Sequence, residues 1–185
     1  MNRTKNMISE AFTQLLEEKP ISKITVKDIA DRCEINRNTF YYHFRDIPDL
    51  CEYICKQKIN ELIQNHCQPG SPQEAVSVAA EFFSKHSSSL LHVYQSLPRD
   101  VFLRYLNQLV RYLVQEYLDT ACKAYPLPEK RRELLVRYYK CVLVGIFLDW
   151  LDDGMRYDLS ELAALICDLR SESGKKHLEK LSQLT

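Results

Sequence analysis

Between Thr25 and Phe44 the sequence sets two short apolar-faced segments on either side of a three-residue break, Glu34-Ile35-Asn36. That spacing restricts the chain more than any other feature. Val26, Ile29, Ala30 and Cys33 share one face of the first segment, and Phe40 and Phe44 lie four apart on the second, so both read as helices. Thr25 precedes the first as an N-cap, its hydroxyl able to accept from an orphan amide at the helix start. Helices of about two turns are marginal in water by themselves, so each needs the other and a support. The support is the stretch before Pro20, where Ile8, Ala11, Phe12, Leu15 and Leu16 line one face. Pro20 ends it, because proline cannot continue a helix interior.

The same periodicity runs on through the chain. Pro48 suits a first helical turn and opens a longer helix through Leu50, Ile54, Ile59, Leu62 and Ile63 that ends near Cys67. Pro69-Gly70 forms a linker, and Ser71-Pro72-Gln73-Glu74 has the pattern of a capping box with proline at the first helical position. Further helices follow at residues 72–85, 88–97, 99–124, 128–151 and 159–169, the last capped by Asp158 with Glu161 three residues on, and Gly154 separates the final two. With only four glycines and no unbroken alternation, an all-α fold of about nine helices is predicted. Residues 2–62 read as an N-terminal helical segment, with its paired short helices at about 25–44, and residues 71–185 as a second helical segment. The tail 171–185 receives no role.

Two short helices around a tight turn are the reading unit of a helix-turn-helix, whose second helix enters the major groove. With Phe40 and Phe44 turned inward, Arg37, Asn38, Thr39, Tyr41, Tyr42 and His43 remain on the outer and end faces. Arginine can bond guanine twice, asparagine can pair with adenine, the threonine methyl can meet thymine, and Tyr and His donors suit phosphate. The competing reading makes this aromatic-rich helix plain core. Formal net charge is zero, so the case for nucleic acid rests on local distribution: Arg3 and Lys5 precede any acid, and residues 36–45 hold Arg37, His43 and Arg45 without one.

Thr25-Val26-Lys27-Asp28-Ile29-Ala30 and Thr39-Phe40-Tyr41-Tyr42-His43-Phe44 resemble the TetR/AcrR family of one-component regulators, and Asp49-Leu50 is similar to the usual entry to that family's fourth helix. The resemblance covers about residues 2–62. It implies that Thr25 and Lys27 sit near the DNA backbone or groove edge, that Arg37, Asn38, Thr39 and Tyr41 face bases, and that Tyr42 and His43 approach phosphate. Two positions depart from the pattern. Glu34 stands where the turn usually has glycine, and Ile47 stands where the family usually has a phosphate-binding lysine, a charge that Arg45 is placed to replace. Tyr41-Tyr42-His43-Phe44 followed by Arg45 through Leu50 also resembles the branch that includes regulators of dihydroxyacetone kinase genes.

For the remainder, the resemblance implies an effector pocket within the C-terminal helices and a four-helix dimer interface made by the last two long ones, residues 128–151 and 159–169. The first of these carries one broad apolar stripe of Leu134, Leu135, Tyr138, Cys141, Val142 and Ile146 and another of Tyr139, Leu143, Phe147 and Trp150, one for its own core and one for a partner. A single recognition helix also reads too few bases, so a homodimer on half-sites about one turn apart is expected. Phe82, Phe83, His86, Tyr94, Phe102 and Tyr105 are the candidate effector-pocket residues, with ordinary core packing as the alternative. The expected function is a sequence-specific regulator of transcription, a ligand-responsive repressor acting on a double-stranded operator. The alternatives are an activator controlled by a protein partner and a small all-helical enzyme. No catalytic motif, cofactor site or metal site is assigned. Cys51 and Cys55, four apart with His66 and Cys67 beyond, lack Cys-x-x-Cys spacing. Seven scattered cysteines, no apolar leader and no apolar run near the ~20 residues of a bilayer span give a soluble, cytoplasmic protein that forms no disulfides and enters no membrane.

Overall fold

A computed structural model describes residues 2–66, 73–121, 126–162 and 164–165. In order, the elements are α1 (Asn2–Glu18), a 3-10 turn (Ile21–Lys23), α2 (Val26–Arg32), α3 (Arg37–His43), α4 (Ile47–His66), α5 (Gln73–Lys85), α6 (Ser87–Ser96), α7 (Arg99–Ala121) and α8 (Glu129–Asp152). No strand occurs among the described residues, as the periodicity predicts. Helical backbone resumes at residues 159–162 and 164–165, where the Asp158 carboxylate accepts from the amides of Ser160 and Glu161. The rest of the expected last helix, the tail 171–185, the Pro69-Gly70 linker and the cap residues Ser71 and Pro72 lie outside the described residues. Sequence periodicity gave no sign of the 3-10 turn, which closes when the Lys23 amide donates to the Pro20 carbonyl. Among the described residues no helix is long and apolar enough to cross a membrane.

The chain packs as two units. One comprises Met1–Gln57 with Ser87–Tyr105, the other Lys58–His86 with Leu106–Thr185. The core of the first joins Ile8, Ala11, Phe12 and Leu15 of α1 to Ile24, Ile29, Cys33, Phe40, Phe44 and Leu50. Each Ile, Leu or Phe among them stabilises by about 1.5–3 kcal/mol when withdrawn from water, and together the cluster fastens two helices that could not stand alone. Leu16, expected in the core, is half-buried at its edge. α6 packs against α1 and the 3-10 turn within this unit.

In the second unit Val114 and Leu118 of α7 meet Val136 of α8, flanked by Tyr139 and Leu143. Asn107 accepts from Lys140 at 2.8 Å, Arg111 donates to Glu133 at 3.2 Å, and Arg132 pairs with Asp119. Because the residue number falls on α8 as it rises on α7 across these ties, the two helices run antiparallel. Gly154 ends α8: its φ of 70°, a left-handed conformation, lets the Met155 amide turn back to the Trp150 carbonyl at 2.8 Å. The buried Trp150 indole donates to the Tyr157 carbonyl at 3.0 Å and so fixes the chain beyond the turn.

Candidate nucleic-acid interface

Both short helices are held at their starts by side chains. The Thr25 hydroxyl accepts from the Asp28 amide at 3.2 Å while the Asp28 carboxylate accepts from the Thr25 amide at 2.8 Å, a reciprocal capping box. The same carboxylate takes the Thr25 hydroxyl proton at 2.7 Å and pairs with Lys19 at 3.0 Å. These bonds from Thr25, then from Lys19, hold the Asp28 carboxyl down at about 2, so this carboxylate is ionised throughout the neutral range. α3 is capped by Asn36, whose side-chain oxygen accepts from the Thr39 amide at 2.8 Å and the Thr39 hydroxyl at 3.1 Å. Asn36, part of the three-residue break in the sequence, is thus the N-cap of α3, a position at which asparagine is among the strongest residues.

The turn itself is a Schellman arrangement. The Ile35 amide reaches back to the Ala30 carbonyl at 3.0 Å, and Glu34 sits between them at φ 57°. Glutamate in the left-handed region costs about 1–2 kcal/mol, whereas glycine there loses about 0.4–1 kcal/mol through the greater freedom of its unfolded chain. Strain is the larger quantity, and the exposed Glu34 side chain adds no packing that would be lost. Glu34→Gly is therefore expected to stabilise the protein by about 0.5–1 kcal/mol in a denaturant melt. A lower midpoint would show that this backbone is unstrained.

Successive residues turn by about 100° around a helix, and α3 follows that rule. Phe40 and Phe44 are buried, with their ring centroids 5.9 Å apart. Asn38, Tyr41 and Tyr42 occupy the opposite arc, Tyr41 at 56% and Tyr42 at 77% exposure. Arg37 is exposed at the N-terminal end, while Thr39 and His43 are half-buried on the flank. Thr25 and Lys27 are exposed at the start of α2. All eight sequence candidates thus reach the surface wholly or in part.

Several basic side chains of this unit are bonded to acids. Arg32 is matched by Glu18 at 2.8 Å, Lys19 by Asp28 at 3.0 Å, Arg45 by Asp46 at 3.2 Å and Lys56 by Glu52 at 2.7 Å. Among the described residues, Lys27, Arg37 and Asn38 make no hydrogen bond or ion pair through their side chains. A molecule of zero net charge thereby keeps uncommitted donors on and beside the outer face of α3. Thr25 and Thr39 differ, since their hydroxyls donate to Asp28 and Asn36 respectively and have no proton left for a phosphate.

The six candidate pocket residues divide between the two units. Phe82 and Phe83 lie on α5 of the second unit, and His86 follows directly after it. There Phe83 meets Phe147 with centroids 4.9 Å apart, and the His86 ring lies 4.4 Å from Phe82 with its Nδ1 2.9 Å from the Phe82 carbonyl. Tyr94, Phe102 and Tyr105 lie in the first unit, with Tyr94 and Phe102 at 4.9 Å and the Arg99 guanidinium donating to the Tyr94 hydroxyl at 2.6 Å. Cys51 and Cys55 carry no disulfide, and burial pushes their thiols up to about 12 and about 11 respectively, so at neutral pH both are protonated. Among the described residues no group of three or more His, Cys, Asp or Glu side chains is placed to hold a metal ion.

Residues 8–54 match the family model described as bacterial regulatory proteins, tetR family, and residues 70–172 match a model of the transcriptional regulator C-terminal region. An uncharacterized HTH-type transcriptional regulator of Bacillus subtilis (strain 168), YxbF, is 25% identical over 169 residues, which cover 87% of this chain and 43% of that protein. The chain therefore spans less than half the length of that relative. Among solved structures, the dihydroxyacetone kinase operon activator DhaS shares the fold with a TM-score of 0.66 at 20% identity, covering 94% of this chain and 97% of that one. The TetR family repressor AlkX from Dietzia sp. shares it at 0.62 and 18% identity, covering 96% and 98%.

Proposed function

The chain belongs to the TetR family of bacterial transcriptional regulators, and on that premise we propose that it binds an operator duplex as a homodimer, each subunit laying α3 in the major groove. The observation that carries this reading is the exposed outer face of α3, where the Arg37 and Asn38 side chains make no hydrogen bond or ion pair among the described residues. Arg37 takes guanine, Asn38 takes adenine, and Tyr41 with the Thr39 methyl contacts thymine edges, while Tyr42 and His43 donate to phosphate. Lys27 adds charge at the groove edge, and Thr25 fixes the start of α2 there. Replacing Arg37 by alanine is expected to cost about 1–3 kcal/mol and to relax base preference at one position, whereas Tyr42→Phe weakens selected and random duplexes alike. Equal losses for Arg37→Ala on both kinds of duplex, measured by titration at fixed salt, would remove its reading role.

Residues 2–62 act as the DNA-binding domain in this account, and residues 71–185 receive the signal and dimerise in the cytoplasm. Dimerisation is supported by α8, where Leu134 at 59% and Tyr138 at 52% exposure continue through the exposed Cys141 and Gly145 in one stripe. A Cβ added at Gly145 meets nothing within 4 Å, which leaves room for a second helix to come close. The signal is either a small effector held by the aromatic side chains of the C-terminal helices or a partner protein. A thermal-shift series with small metabolites separates the two, since a ligand of the folded state alone raises the melting temperature. Repression is the simpler sign, because occupancy of an operator suffices for it, whereas activation adds a surface for the transcription machinery.

A further inference from the structure

We infer that Lys5 grips a DNA phosphate, its ammonium held beside the end of α3 by an aromatic clip made of Phe44 and Tyr53. The inference rests on the reading of α3 as the groove-binding helix. Lys5 Nζ lies 4.8 Å from the Tyr53 ring centroid and 5.4 Å from that of Phe44, and those two rings are 5.3 Å apart and inclined at 61°. Phe44 is the residue that closes α3, and Tyr53 stands on α4. A charge carried by α1 is thus delivered to the corner where the recognition helix ends.

The chemistry of the clip suits a second ligand. Ring faces attract an ammonium through their quadrupole but accept none of its three N–H groups in an ordinary hydrogen bond. Among the described residues no carboxylate, carbonyl or hydroxyl takes a proton from Lys5 Nζ, in contrast to Lys19, Lys56 and Lys58, each of which has an acid within 3.0 Å. Lys5 is also half-buried, so much of its side-chain freedom is already lost before DNA arrives, which lowers the entropy cost of contact. Neighbouring positions do not supply this charge. Ile47 packs onto the core of the first unit, and Arg45 is turned to Asp46.

The test is the salt dependence of binding, because a phosphate contact changes the slope of log Kobs against log[KCl] and a packing contact does not. One contact per subunit makes two per dimer, so Lys5→Met is expected to reduce the slope by about 1.8 on selected and random duplexes alike. Between 50 and 200 mM KCl the wild type then loses about 12-fold more affinity than the variant. Lys5→Arg keeps the wild-type slope. Should Lys5→Met melt below the assay temperature, Lys5→Gln is measured by the same criterion. A wild-type slope in the neutral variant overturns the inference even if its affinity falls, since Lys5 then acts through packing alone. If the wild type fails to prefer any selected duplex over random DNA, the reading of α3 fails with it.

Discussion

Phe40→Ala is expected to destabilise the N-terminal unit by about 3–5 kcal/mol, a fifth or more of the stability of an ordinary domain, and to abolish preference for the operator. Phe40 is fully buried on the inner side of α3, within the cluster that ties α3 to α1 and α2. Truncation leaves a void in a cluster to which α1, α2 and α4 all contribute, and the surrounding structure relaxes only partly to fill it. Tyr42→Ala, two residues along the same helix but 77% exposed, is expected to shift stability by no more than about 0.5 kcal/mol while also losing DNA. Urea melts of the pair read the two faces of one helix. Equal destabilisation by both changes would mean that α3 is core on all sides, which is the competing reading of its aromatic residues.

The second large effect concerns α8. Leu134→Glu combined with Tyr138→Glu sets two carboxylates on the exposed stripe, and a two-fold axis would bring four negative charges together in one interface. Like charges apposed in this way cost several kcal/mol, so light scattering should show a monomer. Operator affinity should fall by two orders of magnitude or more at about 3 kcal/mol of lost second half-site contact. A dimer that survives the double substitution would place the subunit interface elsewhere.

What the sequence made legible was local. The Thr25 cap, the Phe40 and Phe44 face and the Gly154 break each depend on residues within one turn of each other, and the structure has them as expected. Glu34, which stands where the family pattern has glycine, sits at a positive φ. Asn36 was open to the same argument but was assigned to the turn and not to the start of α3. The Lys5 clip could not be read, because α1 and the rings of Phe44 and Tyr53 are joined by packing across some forty residues and no periodicity encodes it. The division of the six candidate pocket residues has the same cause. Periodicity orders residues along a helix, whereas the grouping of Ser87–Tyr105 with the N-terminal segment is decided by which apolar faces meet.

The central claim is that the uncommitted face of α3, repeated by a twin subunit, reads base sequence. Selection of bound duplexes from a random pool by the purified protein at moderate salt tests it most directly. Enrichment of a two-fold symmetric site is expected, with half-sites about 10 base pairs apart or a multiple of that, and with preference lost at a single symmetric position in Arg37→Ala. A bound fraction no different in sequence from the starting pool would contradict it.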